Sequence, residues 1–388
     1  MNSIPTPPLP ATIIALDAFH FQVPLDFPRI NAFGKMTHRP ALVVRLRDED
    51  GMEGWGECFS NWPSFAAEHR YKIISEIMSP LLVGQIAESP EKLTEYLKAR
   101  TRILRIQSDE RGPFDQAVSA IDIAAWDLAS RRKNAPLYEI LGGGSSKKRI
   151  PVYASGLAPE TASELAKKSV AQGIQAFKLK VGFGLDADIA EISQLRNVIG
   201  SSSKLMVDAN QSWTMAEAKA AMFAFEDFDL TWVEEPIPAD SNVDDFAKLA
   251  SDSSIPISAG ENVRGIDNFS DLMTRGGVSV IQPDVIKWGG LTECRTVALE
   301  ALNRGLRYCP HYLGGGIGLL ATAHLLAAVG GDGLLELDAT DNPLRRLLAQ
   351  PFPSLKDGYF HLSSEPGLGI SPDLNALAPY LVSSSTNV

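Results

Sequence analysis

The sequence predicts an α/β protein in which a (β/α)8-type barrel follows a smaller α+β domain. From Arg149 onward, short apolar segments recur roughly every 20–30 residues, the spacing of β-α units joined by right-handed crossovers. Eight such segments are present, enough to close a barrel, and a six-stranded open sheet is the competing architecture.

The part before the barrel has mixed character. The stretch "ALVVRLRDEDGMEGWGE" predicts a hairpin that turns at Asp50–Gly51, and helical patterns follow in "AEHRYKIISEIMSPLLVG" and "AVSAIDIAAWDLASRRK". The segment "DGYFHLSSEPGLGI" is predicted to return to this first domain, and the final "VSSSTNV" is predicted to be a frayed tail. The predicted organisation is a flexible tail, a capping domain, a barrel and a C-terminal segment: 1–10, 11–145, 146–350 and 351–388.

Composition and charge exclude several classes of function. The 388 residues are 45% hydrophobic and 21% charged, which is ordinary for a globular protein. A net charge of -11 disfavours nucleic acid or an anionic membrane as a partner, because both require a cationic face. The cysteines Cys58, Cys294 and Cys309 lack C-x-x-C spacing, which favours a reducing cytoplasm. No signal peptide is predicted, and the longest apolar run, "GIGLLATAHLLAAVGG", predicts a buried helix.

Ionisable residues stand where the predicted strands end. The active site of such a barrel lies at the C-terminal ends of its strands. A random polar rim would mix in serine and asparagine, whereas here seven consecutive strands end in ionisable side chains. These are Lys178 with Lys180, Asp208, Glu234 with Glu235, Glu261, Asp284, His311 and Glu336.

Three of these acids suggest a metal site. Asp208, Glu234 and Glu261 follow successive apolar segments, so the carboxylates should converge and repel one another unless a cation lies among them. Oxygen ligands without cysteine or clustered histidine favour a hard divalent ion, and Mg²⁺ is predicted. The alternative is that each acid is separately paired or solvated.

The stretch "FKLKVGFG" places Lys178 and Lys180 on the same face of one strand. Two ammonium groups close together and near a cation should lower a lysine pKa toward working pH, and a neutral lysine is a general base. The alternative is that both side chains extend from the strand end into solvent.

Asp284 and His311 end the sixth and seventh predicted strands. Adjacent strands would bring them together, and a carboxylate on one ring nitrogen raises the basicity of the other. An isolated histidine is more often a core residue, the role predicted for His324. A substrate carboxylate at the metal would expose one face of its α-carbon to Lys180 and the other to His311. This arrangement predicts proton abstraction next to a carboxylate.

These motifs resemble the enolase superfamily, in its mandelate racemase subgroup, over nearly the whole chain. The matching pieces are "GWGE", "AFKLKVG", "LMVDANQSW", "WVEEP", "AGEN", "QPDVIKWGG" and "PHYLGGG". The resemblance implies a (β/α)7β barrel with an N-terminal α+β cap that the C-terminal segment completes. It implies one Mg²⁺ on Asp208, Glu234 and Glu261, with Lys180 as a base and Lys178 either tuning that base or touching the substrate carboxylate. It also implies a dyad of Asp284 and His311, and a Glu336 that hydrogen-bonds the substrate carboxylate.

The subgroup follows from two residues. The lactonising-enzyme and dipeptide-epimerase subgroup shares K-x-K but has a lysine where Asp284 stands and lacks the histidine of the dyad. The stretches "FKLKVGFG", "DATDNPLRRLL" and "EPGLGI" resemble members that act on acid sugars, including galactarolactone cycloisomerase and sugar-acid dehydratases. Specificity is predicted to come from the capping loop, "VPLDFPRINAFGKMTHRP", through Arg29, Lys35 and His38, with Phe33 excluding water. The alternative is that these are ordinary surface residues. Asn210 and Tyr312 of the barrel are further predicted substrate contacts.

The predicted function is Mg²⁺-dependent removal of the α-proton of a hydroxy carboxylate, with dehydration of a sugar acid as the leading outcome. Racemisation, epimerisation or lactone cycloisomerisation would use the same two bases and is the alternative. A non-catalytic sugar-acid-binding barrel is disfavoured because both bases are present, and "LGGGIG" lacks the third glycine and the acid of a dinucleotide site. A small-molecule carboxylate and a second copy of the chain are the predicted partners.

Overall fold

A computed structural model describes residues 9–31, 34–142 and 148–385, and the side chains of residues 26–31 lie outside that description. The first domain combines a sheet with helices. A π-helical stretch, Ile73–Met78, connects its first two helices. The elements in chain order are β1 (Ala11–Asn31), β2 (Gly34–Asp48), β3 (Glu53–Cys58), α1 (Ala66–Lys72), α2 (Ser79–Leu82), β4 (Ile86–Ala87), α3 (Pro90–Gln107), α4 (Arg111–Arg132) and α5 (Leu137–Ile140).

Eight strands and the seven helices between them follow. The strands are β5 (Arg149–Leu157), β6 (Ala176–Lys180), β7 (Lys204–Asp208), β8 (Leu230–Glu234), β9 (Ile257–Ala259), β10 (Val280–Ile281), β11 (Arg307–Tyr308) and β12 (Leu335–Asp338). The helices are α6 (Ala162–Ala171), α7 (Leu185–Ile199), α8 (Met215–Ala224), α9 (Val243–Ser251), α10 (Ile266–Thr274), α11 (Gly290–Asn303) and α12 (Gly316–Val329).

The eight strands form the predicted (β/α)7β barrel. They pair in parallel in the order β12-β5-β6-β7-β8-β9-β10-β11. At the seam between β11 and β12, the N–H of Leu334 lies 3.4 Å from Cys309 Sγ. Because the strands are parallel, all their C-terminal ends meet at one face. The eight-stranded prediction is confirmed over the six-stranded alternative.

The predicted hairpin is confirmed as β2 and β3, in which Arg47 pairs with Glu53. Two glycines of "GWGE" let β3 lie directly against α4. A Cβ on Gly54 would stand 2.1 Å from the Ala124 carbonyl oxygen, and one on Gly56 would stand 1.9 Å from that of Ala120. A larger residue at either position would force the strand away from the helix.

The C-terminal segment touches both parts of the molecule. After the short helix α13 (Pro343–Leu347), its elements are β13 (Leu355–Lys356), β14 (Tyr359–His361), α14 (Leu374–Leu377) and β15 (Leu381–Ser385). β14 pairs antiparallel with the start of β5, and β15 pairs antiparallel with β1 of the capping sheet. The prediction of a frayed "VSSSTNV" is therefore wrong for residues 382–385. Leu9, which the predicted tail included, is fully buried and donates its N–H to the Glu88 carbonyl.

The apolar run that predicted a buried helix is α12, whose residues Gly316 to Ala327 are buried. His324 within it is a core residue: its Nδ1 lies 3.1 Å from the backbone N of Tyr138, and burial lowers its pKa to about 3. Within the described ranges, no helix combines the length and apolar character needed to cross a membrane.

Candidate active site

The barrel face at which the C-terminal ends of the strands meet is called the mouth. Lys178 lies at this mouth, and three carboxylates surround its ammonium group. Its Nζ is 2.6 Å from Glu234 Oε1, 2.9 Å from Glu336 Oε1 and 3.7 Å from Asp208 Oδ2. The side chain is 1% exposed. An isolated ammonium at that depth would be strongly disfavoured, so these acids hold it in place. The contact with Glu336 places that residue at the mouth, as the family resemblance implied.

Lys180 emerges two residues later on the same face of β6, as the alternation predicted. Its Nζ donates to Asp208 Oδ2 at 2.5 Å and to Asn210 Oδ1 at 2.7 Å. The register brings Lys180 beside Asp208, and Asp208 beside Glu234, across neighbouring parallel strands. With 29% of its side chain exposed, Lys180 is more accessible than Lys178. A molecule bound at the mouth can therefore reach the Lys180 amine.

Glu261 follows β9 and meets cationic groups from the next two strands. Its Oε2 lies 3.0 Å from Lys287 Nζ and 3.0 Å from His311 Nε2. Lys287 also donates to Asn262 Oδ1 at 2.8 Å, and the Asn262 amide donates to both oxygens of Glu235 at 3.0 Å. Glu261 is thus held by side chains that follow β10 and β11.

Asp284 and His311 form the predicted pair. His311 Nδ1 lies 2.7 Å from Asp284 Oδ2, and the N–H of Ile286 donates to Asp284 Oδ1 at 2.9 Å. With Nδ1 facing Asp284, the other ring nitrogen points to Glu261 inside the mouth. A carboxylate on one nitrogen orients the ring and leaves the second nitrogen for proton transfer.

The pKa directions bear on one expectation. Burial lowers the pKa of Lys178, but attraction from Glu234 and Glu336 outweighs burial and raises it well above its usual value. Burial likewise lowers the pKa of Lys180, and Asp208 more than restores it, so the net shift is upward. The predicted lowering assumed a metal cation beside the lysines. The protein's own charges act in the opposite direction, because carboxylates are the nearest charges to each ammonium group.

In His311, Glu261 and Glu336 too, neighbouring charges outweigh the effect of burial on the pKa. Burial opposes protonation of His311, but Glu261 and Glu336 raise its pKa well above the usual value. Glu261 in turn has a pKa well below its usual range, because His311 and Lys287 overcome the effect of burial. Burial raises the pKa of Glu336, but Lys178 and His311 bring it down to about 2.

The acids at the mouth outnumber the cationic side chains. Among the described residues, the buried carboxylates at the mouth are those of Asp208, Glu234, Glu235, Glu261, Asp284 and Glu336. The basic groups in contact with them are Lys178, Lys180, Lys287 and the His311 ring. This excess of buried oxygen donors suits a hard divalent cation. In the described ranges, however, no three acids or histidines stand close enough to form a ready-made metal site, because ammonium and imidazole groups lie on the acids.

The predicted substrate-binding residues differ in their distance from the mouth. Asn210 contacts Lys180 and lies at the mouth. Tyr312 is 2% exposed and its hydroxyl contacts the Gly315 carbonyl, so the structure directs this hydroxyl away from the mouth, while its backbone N–H donates to Glu336 at 3.0 Å. Lys35 and His38 are exposed on β2. The Arg29 side chain and Phe33 lie outside the described residues. Substrate contact by the loop stays a prediction.

Three polar side chains near the cluster were not predicted from the sequence. Gln282 donates to Glu234 Oε2 at 2.7 Å, Lys287 holds Glu261, and Asn262 links Lys287 to Glu235. All three stand beside the strand-end acids, in "IQPD", "VIKW" and "AGEN". Their position next to an assigned acid was the available signal.

Two family models match the chain. Residues 13–142 match the mandelate racemase/muconate lactonizing enzyme N-terminal domain, and residues 161–376 match the enolase C-terminal domain-like model of the same family. The chain belongs to the mandelate racemase/muconate lactonizing enzyme family. These two matches cover most of the capping domain and of the barrel, so the family resemblance seen in the sequence is confirmed.

Relatives in this family are enzymes of several kinds. D-galactarolactone cycloisomerase from Agrobacterium fabrum is 30% identical, over 92% of this chain and 95% of its own. Arabinonate dehydratase from Saccharolobus solfataricus is 29% identical, over 84% of this chain and 87% of its own. A mandelate racemase/muconate lactonizing enzyme from Bordetella bronchiseptica has a crystal structure that is 41% identical, with a TM-score of 0.89 over 95% of this chain and 99% of that one.

One structural neighbour bears on the metal. A racemase from Streptomyces coelicolor, solved with bound magnesium, is 29% identical to this chain, with a TM-score of 0.84. The match covers 95% of the present chain and 100% of the racemase chain.

Proposed function

We propose that this enzyme removes the α-proton of a hydroxy carboxylate between Lys180 and His311 and dehydrates a sugar acid. The observation that carries the proposal is the placement of two proton-transfer groups at one mouth. Lys180 is held by Asp208 of β7, whereas His311 is held by Asp284 and Glu261 after β10 and β9. A substrate lying between these groups would present opposite faces of its α-carbon to them.

Asp208, Glu234 and Glu261 would hold a divalent metal, for which Mg²⁺ is the proposed ion. Their donors are all oxygen, and the excess of buried carboxylates supports the presence of a further positive charge. A bound divalent ion supplies Lewis-acid stabilisation of negative charge on a substrate oxygen. Asp208 and Glu234 already share the Lys178 ammonium, so the protein itself brings these two acids toward one cation.

The remaining residues have roles that follow from their contacts. Lys178, buried between Glu234 and Glu336, supplies a fixed positive charge next to where a substrate carboxylate would bind. Glu336 is oriented by Lys178 on one oxygen and by the Tyr312 N–H on the other, and would meet the substrate carboxylate. Asp284 keeps His311 in the orientation that sends Nε2 into the mouth.

Dehydration requires a group that gives a proton to the departing β-hydroxyl. His311 can do this because Asp284 stabilises the imidazolium form, so the ring that faces the mouth can act as a general acid. Arabinonate dehydratase, the relative that supports this outcome, is named for loss of water. The capping loop around Lys35 and His38 is proposed to choose the polyhydroxy substrate.

Epimerisation or cycloisomerisation is the second candidate. It is favoured by one specific observation, that proton-transfer groups stand on both sides of the mouth, whereas a dehydration needs only one of them as the base. D-galactarolactone cycloisomerase is a relative of this kind.

Deuterium exchange tests the proposal. The protein is incubated in D2O with Mg²⁺ and a panel of aldonic acids, aldaric acids and sugar lactones, and NMR follows the α-proton. Exchange with at least one compound is expected, and loss of water selects dehydration over epimerisation. Lys180→Ala and His311→Asn should each lower turnover by at least about 100-fold, the contribution typical of a general acid or base. Full turnover by both variants would contradict the two-base assignment.

The cellular setting is part of the same proposal. A cytoplasmic location agrees with three cysteines that are free and buried in the structure. Assembly with further copies of the chain is proposed as well, and the mass measured by light scattering in solution tests it.

A further inference from the structure

A segment of the capping domain reaches the loop that carries His311. This segment, Glu57–Asn61, begins at the end of β3, and we call it the clasp. The carboxylate of Glu57 accepts the backbone N–H of Gly315 through one oxygen and that of Gly318 through the other, the second at 2.8 Å. Both amides belong to the start of α12, a few residues after the histidine.

The clasp makes two further contacts with the same region of the barrel. Asn61 Nδ2 donates to the Leu313 carbonyl at 2.8 Å. The N–H of Phe59 donates to the Ile286 carbonyl at 3.1 Å, and the N–H of Ile286 in turn holds Asp284. The clasp therefore grips the loop that carries the histidine and the loop that carries its carboxylate partner.

The contacts at Glu57 are close and buried. Glu57 is 1% exposed and Asn61 is 4% exposed. A Cβ on Gly315 would stand 2.9 Å from a Glu57 oxygen, so a larger residue would crowd the carboxylate out. Buried backbone N–H groups need an acceptor, and Glu57 supplies one oxygen to each of two. Glutamine, the uncharged isostere, has a single side-chain oxygen and can therefore accept from only one of these two N–H groups.

We propose that Glu57 and Asn61 are positioning residues that set the geometry of the His311–Asp284 pair from the capping domain. The Lys180 side of the mouth is organised differently, because its partners Asp208 and Asn210 both come from the barrel. Loosening the clasp should therefore impair proton transfer on the histidine side and spare the lysine side. This catalytic consequence rests on the proposed two-base function, but the structural coupling does not.

Hydrogen exchange followed by mass spectrometry tests the coupling without any substrate. The variants are Glu57→Gln, which leaves one of the two amides without an acceptor, and Asn61→Asp, which sets a carboxylate against the Leu313 carbonyl. At about pH 8, above the pKa of Glu57, peptides that cover residues 284–288 and 309–319 should exchange at least about 10-fold faster in both variants, because each loses a hydrogen bond that protects these loops. Glu53→Gln is the matched control, since Glu53 lies on the same strand and bonds Arg45 instead of the barrel.

The outcomes are distinct. Faster exchange confined to those two peptides supports the proposal, whereas unchanged exchange, or faster exchange throughout the barrel, overturns it. The second readout uses a compound whose α-proton the wild-type protein exchanges. It measures from which face of the α-carbon deuterium enters. Entry from the His311 face should fall at least about 10-fold and entry from the Lys180 face should stay within about 2-fold. An equal loss on both faces overturns selective positioning. If the wild-type protein exchanges no compound of the panel, the proposed function fails, and the peptide data still decide whether the clasp holds these loops.

Discussion

His311 Nδ1 lies 2.7 Å from Asp284 Oδ2, and this contact determines which ring nitrogen is available at the mouth. The other oxygen of Asp284 accepts the Ile286 N–H at 2.9 Å. In Asp284→Asn, the amide oxygen would have to stay on Ile286, so the amide NH2 group would face the histidine. A neutral ring would then carry its proton on Nε2, where it cannot act as a base.

We therefore expect Asp284→Asn to lower α-deuterium exchange from the His311 face by about 100- to 10,000-fold, the range of general acid–base catalysis. Exchange from the Lys180 face should remain. Asp332→Asn is the control, because that carboxylate bonds Arg307 on the outside of the barrel. Equal exchange from both faces in Asp284→Asn would show that the carboxylate does not select the tautomer.

Bound magnesium should stabilise the folded protein. After treatment with EDTA, adding Mg²⁺ at about 100 times its Kd should raise the free energy of unfolding by about 2.7 kcal/mol. Glu261→Gln should abolish most of this gain, because it removes a charged ligand. The control is Glu226→Gln, which changes an exposed residue on the barrel surface and should keep the gain. Thermal unfolding and isothermal calorimetry measure both effects. An identical magnesium response in Glu261→Gln and wild type would remove Glu261 from the proposed metal site.

Much of the fold could be predicted because each element has a local signature. The barrel strands are apolar runs separated by helical patterns, and the strand-end position of Asp208 or Glu261 follows from the parallel topology alone. The edge strand β15 could not be predicted in this way. Its "LVSSS" lacks a buried face, since its residues are exposed or half-buried, and it is ordered by pairing with β1, more than 300 positions earlier.

The candidate site, too, could be predicted only in part from the sequence. Which residues meet at the mouth follows from strand order, but the charge each side chain faces does not. Lys178 was predicted to lie near positive charge, whereas its nearest neighbours are Glu234 and Glu336. The clasp was missed for a similar reason, because Glu57 makes its hydrogen bonds with amides more than 250 positions away. Sequence patterns report such long-range contacts only weakly.

Glu57 should make stability depend on pH. Burial raises its pKa from 4.5 to about 7; the amides of Gly318 and Gly315 lower it and recover only part of that shift, while the charge of Asp284 adds to it. The folded protein then binds this proton more tightly than the unfolded chain does. The stabilisation is complete below about pH 4.5 and is lost as the pH rises through about 7.

The expected loss is about 3 kcal/mol between pH 4.5 and about pH 8, since each pKa unit corresponds to about 1.4 kcal/mol. Urea unfolding of wild type and Glu57→Gln at both pH values isolates this group, because glutamine does not titrate. The difference in unfolding free energy between the two proteins should shift by that amount in favour of the variant at high pH. A difference that does not change with pH would mean that folding does not raise the pKa of Glu57.

A buried ion pair fastens the capping domain to the end of β12. Arg39 of β2 donates through Nη2 to Asp338 Oδ2 at 3.1 Å and to Thr340 Oγ1 at 3.2 Å, and the two charged side chains are 10% and 6% exposed. Asp338 stands two residues after Glu336, so this contact fixes the strand that carries a predicted substrate ligand.

Arg39→Met should lower the free energy of unfolding by about 2–4 kcal/mol, because it leaves a buried carboxylate without its main partner. The cost should fall below the upper end of the range for buried pairs, since Arg345 Nη1 lies 4.0 Å from the same oxygen. Arg304→Met, which removes an exposed pair with Glu300, should cost less than about 1 kcal/mol. A double-mutant cycle with Asp338→Asn then measures the coupling directly. A coupling energy near zero would show that the two side chains are held by other contacts and that the pair does not secure the cap.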